Sequence, residues 1–341
     1  MRAVWVTRHG GPEVLEVREA PDPSPRAGEV RIRVRAAGVN FADVMARQGL
    51  YPSAPKPPTV VGYEVAGVVD ALGEGVTAPA EGARVLAMTK FGGYADTVCV
   101  PASQAFGMPD AMSFEEAAAM PVTYLTAHHA LFRAAGLRAG ERVLIHMAAG
   151  GVGIAALQLC RTVEGVTTFG TASVAKHDVI RAEGCDHPID YRSVDWAEAV
   201  KELSGTRRLD VVLDPLGGRE TMRGYKLLGP GGRLVTYGFA GAVAGGKRRW
   251  VRVALAWARR PRFDPLRMMS SSKTVAGVFL PSLARVPGLL EGQVDRLLEL
   301  YAAGSLRPRI DSSYPLEKAG DAHRRLEDRG NVGKVLLTTG G

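Results

Sequence analysis

The chain has 341 residues, 46% hydrophobic and 23% charged, with a formal net charge of +8. That length predicts two domains with ample cores, and the composition is ordinary for a globular protein, with no apolar run long enough to span a membrane. Cys99, Cys160 and Cys185 stand too far apart for a CxxC zinc lobe or a disulfide framework, which predicts a reducing, cytoplasmic setting.

The N-terminus is expected to enter directly as a strand, Met1–Thr7, without a signal-peptide apolar region. Val30–Ala36 alternates as VRIRVRA, a half-buried strand with its arginines outward. Pro21, Pro23 and Pro25, then Pro52, Pro55, Pro57 and Pro58, mark loops, and glycine-rich turns follow at Gly62–Gly75 and Gly92–Gly93. Residues 1–122 therefore read as a compact, partly barrel-like β domain. From residue 123 strands alternate with helices. Strands are predicted at 142–147, 166–171, 187–191, 209–214, 232–237 and 273–280, which describes a doubly wound parallel sheet. Residues 289–303 are amphipathic, and a last helix (316–328) and strand (332–338) return to the first domain. The expected organisation is 1–122 with 281–341 as one domain, and 123–280 as a dinucleotide-binding domain carrying an insertion at 241–272.

The stretch Val143–Cys160 reads VLIHMAAGGVGIAALQLC. An apolar strand meets the turn Ala148-Ala149-Gly150-Gly151-Val152-Gly153 and then a helical pattern, an AxGxxG form of the dinucleotide fingerprint. Gly150 and Gly151 leave room for a phosphate at a helix N-terminus, with Ala149 and Val152 in the same turn. Gly153 lets the helix pack on the strand. An NAD site would carry an acid about 20 residues further on. Here the second strand runs into Ala172-Ser173-Val174-Ala175-Lys176, a hydroxyl and a cation suited to a 2′-phosphate, so NADPH is the expected cofactor. Alternatively, Ser173 caps the next helix and Lys176 is solvated. Thr123 and Thr126 fall where the chain crosses between domains, a place to touch the nicotinamide half. Gly238 and Phe239 close the fifth strand at the carboxyl edge, where such sheets bind that half of the cofactor.

Gly38-Val39-Asn40-Phe41-Ala42-Asp43 is followed by Arg47-Gln48-Gly49-Leu50-Tyr51-Pro52, Gly62-Tyr63-Glu64-Val65-Ala66-Gly67, Pro121–Ala127, the AAGGVG turn and Asp214–Gly218. In that order they resemble the medium-chain dehydrogenase/reductase superfamily, and more narrowly its zinc-free quinone oxidoreductases. The resemblance covers essentially the whole chain. It implies an α/β fold, a GroES-like β-rich catalytic domain plus a doubly wound Rossmann sheet. The zinc branch holds its metal with a Cys after Gly-Val and a His in Gly-His-Glu. Asn40 and Tyr63 stand at those places, so no metal is expected. Without a Lewis acid, the chemistry suits acceptors that are already electrophilic, quinones and α,β-unsaturated carbonyls, with the hydride supplied by the cofactor.

The resemblance places Asn40 near the nicotinamide, with an amide to offer a carbonyl oxygen, although a turn residue satisfying local backbone is the other reading. Tyr51 and Tyr63 are candidate hydroxyl donors, Tyr63 equally an aromatic lining a domain interface. Asp43 either orients a neighbour or is simply an acid at a helix start. Tyr191, by resemblance, flanks the 2′-phosphate beside Ser173 and Lys176, or packs at a strand end. Arg329 resembles an arginine that reaches the same phosphate, or is a solvated loop charge. His128 and His129, consecutive on a helix, point about 100° apart and are not expected to share an ion, and His146 reads as a core histidine.

Residues 247–267 hold eight basic residues, Lys247, Arg248, Arg249, Arg252, Arg259, Arg260, Arg262 and Arg267, against Asp264 alone. Charge confined to one segment argues against nucleic-acid binding. This segment resembles the vesicle amine transport protein branch of the quinone oxidoreductases. Its apolar Trp250, Val253 and Trp257 share one helical face, which suits a lid, a subunit contact or a membrane surface reached through 247–268. The competing expectations are thus a membrane-surface or lipid-associated protein that keeps the fold, and a stand-alone enoyl reductase. The apolar strand Lys273–Leu280, left at a sheet edge, predicts a homodimer.

Overall fold

The computed structural model describes residues 1–51, 53–242 and 261–340. Pro52 and the expected basic helix, with Lys247, Arg248, Arg249, Trp250, Arg252, Val253, Trp257, Arg259 and Arg260, lie outside the described residues. Of the rest, 1–123 and 294–340 form one compact unit, and 124–242 with 261–293 form another.

The first unit begins with β1 (Arg2–Val6), β2 (Leu15–Glu19), β3 (Glu29–Val39), β4 (Thr59–Val60), β5 (Glu64–Leu72), β6 (Arg84–Met88), β7 (Thr97–Pro101) and β8 (Ala105–Gly107). The alternation of β3 does what its pattern requires. Val30, Ile32 and Val34 are buried in the core, while Arg31 and Arg33 turn outward and share Asp70, at 2.8 and 2.7 Å. β3 pairs antiparallel with both β5 and β7. It approaches β5 so closely that a Cβ on Gly67 would lie 2.0 Å from the Arg33 carbonyl oxygen, so only glycine fits there.

In the second unit β9 (Arg142–Ile145), β10 (Thr167–Ala172), β11 (His187–Asp190), β12 (Leu209–Asp214), β13 (Leu228–Thr236) and β14 (Thr274–Gly277) make one six-stranded sheet. The order is β11-β10-β9-β12-β13-β14, parallel throughout. In chain order that is 3-2-1-4-5-6, the doubly wound arrangement. The strands differ from expectation at their ends. β9 stops at Ile145 rather than 147, because Met147 takes a positive φ of 53° and turns the chain. β14 spans Thr274–Gly277 rather than 273–280, since Phe279 begins the helix Leu280–Leu283.

β15 (Ile310–Pro315) and β16 (Lys334–Thr338) return the chain to the first unit's larger sheet, ordered β15-β16-β3-β5-β6-β8 with β7 on β3. The return starts at Val294 and not at 281, because residues up to Gln293 belong with the second unit. There the Gln293 amide oxygen meets His128 and His129. Antiparallel pairing sets Val335 opposite Val39. That register brings Lys334, one residue earlier, beside Asn40, one residue later.

Candidate functional site

The glycine turn sits where the sheet predicts. The Met147 N–H donates to Thr171 Oγ1 at 3.2 Å and the Ala148 N–H to Thr171 O at 3.0 Å, tying the turn to β10. Gly150 is the N-cap of the helix Gly151–Cys160, in extended backbone. The N–H groups of that helix's first turn, from Gly151, Val152 and Gly153, have no acceptor within the helix, and with its dipole they favour an anion. Ala149 is buried behind them. A Cβ on Gly153 would stand 2.4 Å from Met147 O and 2.6 Å from Ala148 Cα. The helix therefore lies directly on the turn, as the third position of the fingerprint demands.

The other cofactor candidates of this unit leave the same carboxyl edge. Ala172 and Asp190 are register partners at the ends of β10 and β11, so Ser173 and Tyr191 follow from adjacent strands. Ser173 precedes the 3₁₀ turn Val174–Lys176 without a side-chain capping bond. Tyr191 lies one residue beyond its strand rather than ending it, and β13 likewise stops at Thr236, ahead of Gly238 and Phe239. The Phe239 ring packs over Gly217, where a Cβ would meet it at 2.4 Å. At the end of β12, Asp214 holds its turn by accepting from Leu216 N and Thr221 Oγ1, at 2.8 and 2.5 Å. Thr126 is buried in the helix Pro121–His128. Thr123 is buried too and donates to Ala119 O at 2.6 Å.

The catalytic candidates lie in the first unit around a buried ion pair that sequence reading missed. Lys334 Nζ donates to Glu64 Oε1 and, at 2.5 Å, to Asn40 Oδ1. Asn40 Nδ2 donates to Glu64 Oε1 at 2.8 Å, and Glu64 Oε2 accepts from Val122 N at 2.6 Å. The Asn40 amide is thus turned inward, its second hydrogen facing only Gly38 O at 3.4 Å. Asp43 is fully buried at the start of the helix Phe41–Arg47 and accepts from Asn40 N and Gly62 N, both at 2.8 Å. Burial pushes its carboxyl up to about 7, opposed by those two N–H groups and Lys334 and reinforced by Glu64.

Tyr51, Tyr63 and Phe91 form an aromatic group, with ring centroids 5.8 Å apart for the tyrosines and 5.2 Å for Tyr63 and Phe91. Burial raises both phenols, Tyr51 to about 12, and the nearby Asp43 carboxylate adds to this. Among the described residues the buried Tyr63 hydroxyl has no hydrogen-bond partner. Arg329 follows the helix Ala319–Glu327 in the first unit, at φ 54°.

The histidines differ from expectation in one respect. His128 and His129 converge, both Nδ1 atoms reaching Gln293 Oε1 at 3.1 and 3.3 Å. They lie at the junction where the α-helix Pro121–His128 passes into a π-helix over His129–Ala134. His146 is buried against the Trp196 ring, its Nδ1 3.1 Å from Thr171 Oγ1. Burial pushes its pKa down, although Asp214 and Glu220 oppose this.

Comparison with known proteins agrees with this geometry. Residues 26–110 match the alcohol dehydrogenase GroES-like domain family and residues 183–337 the zinc-binding dehydrogenase family. The chain is 46% identical over 342 residues to the synaptic vesicle membrane protein VAT-1 homolog of Rattus norvegicus, covering all of this chain and 84% of that one. The crystal structure of human synaptic vesicle membrane protein VAT-1 homolog-like protein superposes with a TM-score of 0.87 at 38% identity, covering 100% of this chain and 98% of that one. Escherichia coli quinone oxidoreductase, solved with NADPH, gives 0.88 at 30%, covering 99% and 100%. The zinc of the second family's description does not suit this donor set: Asn40 and Glu64 already hold the Lys334 ammonium. Among the described residues no group of three or more His, Cys, Asp or Glu side chains could hold a metal ion. The chain belongs to the medium-chain dehydrogenase/reductase superfamily of oxidoreductases, with the VAT-1 homologues and quinone oxidoreductases as its relatives.

Proposed function

We propose that this protein is an NADPH-dependent, zinc-independent reductase of quinones or α,β-unsaturated carbonyls. The observation that carries the reading is the carboxyl edge of the parallel sheet. A helix N-terminus there is packed so tightly on its turn that Gly153 admits no side chain, and the adjoining strand is followed by Ser173 and Lys176 instead of an acid. Within the second unit, the turn residues Ala149–Gly153 would hold the pyrophosphate, Ser173, Lys176 and Tyr191 the 2′-phosphate, and Thr126, Gly238 and Phe239 the nicotinamide half; Arg329 and Thr123, in the first unit, are candidates by family resemblance alone. The cofactor supplies the hydride. In the first unit, Tyr63 has a buried hydroxyl to offer an acceptor oxygen, and the rings of Tyr51, Tyr63 and Phe91 suit a flat unsaturated acceptor. Asn40 is fixed in the same unit by Lys334 and Glu64.

The test is an NADPH-consumption screen across quinones, enones and enoyl thioesters, run on protein whose zinc content has been measured. Turnover of one acceptor class without stoichiometric zinc is the expected result. No acceptor-dependent oxidation, or activity that needs a bound zinc, overturns the reading. No helix among the described residues is long and apolar enough to cross a membrane. Co-sedimentation with anionic liposomes, scored against salt, tests the surface-association alternative separately.

A further inference from the structure

A buried histidine of the second unit reaches the dinucleotide turn through one hydroxyl. Met147, in that turn, has φ 53°, a left-handed conformation that a residue with a Cβ keeps only where its surroundings hold it. Its carbonyl oxygen accepts from the N-cap Gly150 N at 2.9 Å and would stand 2.4 Å from a Cβ on Gly153. Its N–H donates to Thr171 Oγ1 at 3.2 Å, and the same oxygen lies 3.1 Å from His146 Nδ1. Thr171 and His146 are 3% and 1% exposed.

Counting hydrogens gives the direction of the second bond. Thr171 Oγ1 has one hydrogen and two lone pairs, and the Met147 N–H takes a lone pair. With the ring proton on Nδ1, the Thr171 hydrogen and a bare Nε2 would both be buried without partners among the described residues. With the proton on Nε2, the Thr171 hydroxyl donates to Nδ1 and only the Nε2–H is left over. Burial keeps the ring neutral, pushing its pKa down against Asp214 and Glu220. Trp196 fixes the ring's orientation, edge to face at 85° with centroids 4.5 Å apart. Trp196 is itself anchored: its Nε1 donates to Glu220 Oε2 at 2.7 Å, and the Arg223 guanidinium lies 4.6 Å from its ring centroid.

We propose that His146 is a positioning residue for the dinucleotide: by accepting the Thr171 hydrogen it turns an Oγ1 lone pair to the Met147 N–H, and so holds the turn in the form that presents the first N–H groups of the helix Gly151–Cys160 to a phosphate. Its action passes through Thr171 and Met147. Without the Nδ1 acceptor the hydroxyl rotates to seek another, the Met147 N–H loses its partner, and the left-handed backbone there relaxes. The inference rests on the dinucleotide reading of this turn.

Two measurements on the full chain test it, isothermal titration with NADPH and hydrogen exchange of single backbone amides without cofactor. His146→Leu removes the acceptor at similar volume, and Thr171→Val removes the hydroxyl while keeping the shape. Each should weaken NADPH by about three- to tenfold, the size of one buried hydrogen bond, and speed exchange of the Met147 amide by a similar factor. The Ala148 amide donates to the Thr171 backbone oxygen instead, at 3.0 Å, and should keep its protection. His146→Asn, whose Oδ1 can accept where Nδ1 does, and Thr171→Ser should both bind as wild type does. The double variant His146→Leu, Thr171→Val should lose no more than either single one, because both break the same chain. Unchanged NADPH affinity in His146→Leu or in Thr171→Val overturns the inference, and so does His146→Asn binding as weakly as His146→Leu. Additive losses in the double variant, or equal loss of protection at Met147 and Ala148, also overturn it, since they mark a general loosening of the fold. A wild type that binds neither NADPH nor NADH overturns the dinucleotide reading and this inference together; a wild type that binds, matched by His146→Leu, overturns this inference alone.

Discussion

Lys334 and Glu64 meet as an ion pair with side chains 3% and 0% exposed, joining β16 to β5 across the edge of β3. A buried pair is costly to half-remove, because the remaining charge loses its partner without regaining water. Lys334→Ala should therefore destabilise the protein by about 3–5 kcal/mol, whereas the double change Lys334→Met, Glu64→Leu should cost much less. Urea unfolding of the single and double variants measures this. Near-equal stability of Lys334→Ala and wild type would show that the pair contributes little.

The glycine turn offers a sharper test of the dinucleotide site. Gly153→Ala places a methyl within 2.4 Å of Met147 O, where backbone must move to admit it, at about 1–3 kcal/mol. The expected outcome is a loss of NADPH affinity beyond any change in stability, read by titration calorimetry. Gly107→Ala, whose methyl would meet nothing within 4 Å, should bind as wild type does. Equal affinity of both variants would remove the turn from the site.

Parts of this arrangement were legible in the chain and parts were not, for a physical reason. Apolar runs and the AxGxxG turn are local patterns, so the positions of the strands and the helix at Gly151 could be read directly. Asn40, Asp43 and Tyr63 stand in a short stretch of sequence and could be singled out. Their partner Lys334 could not, because it lies 270 residues from Glu64 and only the antiparallel register of β16 on β3 brings it near. The shared partner of His128 and His129 escaped because Gln293 lies 165 and 164 residues further along the chain.

Cofactor preference should turn on one cation. If Lys176 binds the 2′-phosphate, its charge-assisted contact contributes about 1–3 kcal/mol. Lys176→Ala should then weaken NADPH by roughly ten- to hundredfold and leave NADH almost unchanged. Isothermal titration with both cofactors checks this, and equal losses would mean that Lys176 acts on the fold and not on the phosphate.

The assembly state should follow from β14. Among the described residues it is the last strand of the parallel sheet and pairs only with β13, and just before it Leu266 and Met269 are each 71% exposed. An open edge beside exposed apolar side chains is a surface that proteins cover. Light scattering at micromolar concentration should give the mass of a homodimer. A monomer at that concentration would mean that the edge is protected in some other way.

Asp43 fixes the sign of a pH effect on stability. Burial raises its carboxyl from 3.8 to about 7, so the folded protein holds that proton more tightly than the unfolded chain does. The stability contributed by this group is fully present below about pH 4 and is lost as pH rises through about 7. Asp43→Asn removes the titration while nearly keeping the shape, although one of its two backbone N–H partners then faces an amide N–H. The unfolding free energy of wild type minus that of Asp43→Asn should therefore fall between about pH 4 and 7 and level off above, as read by denaturant melts across that range. A difference that stays constant with pH would show that Asp43 titrates as an ordinary carboxyl. A difference that rises with pH would show that the N–H donors and Lys334 outweigh burial and hold it ionised.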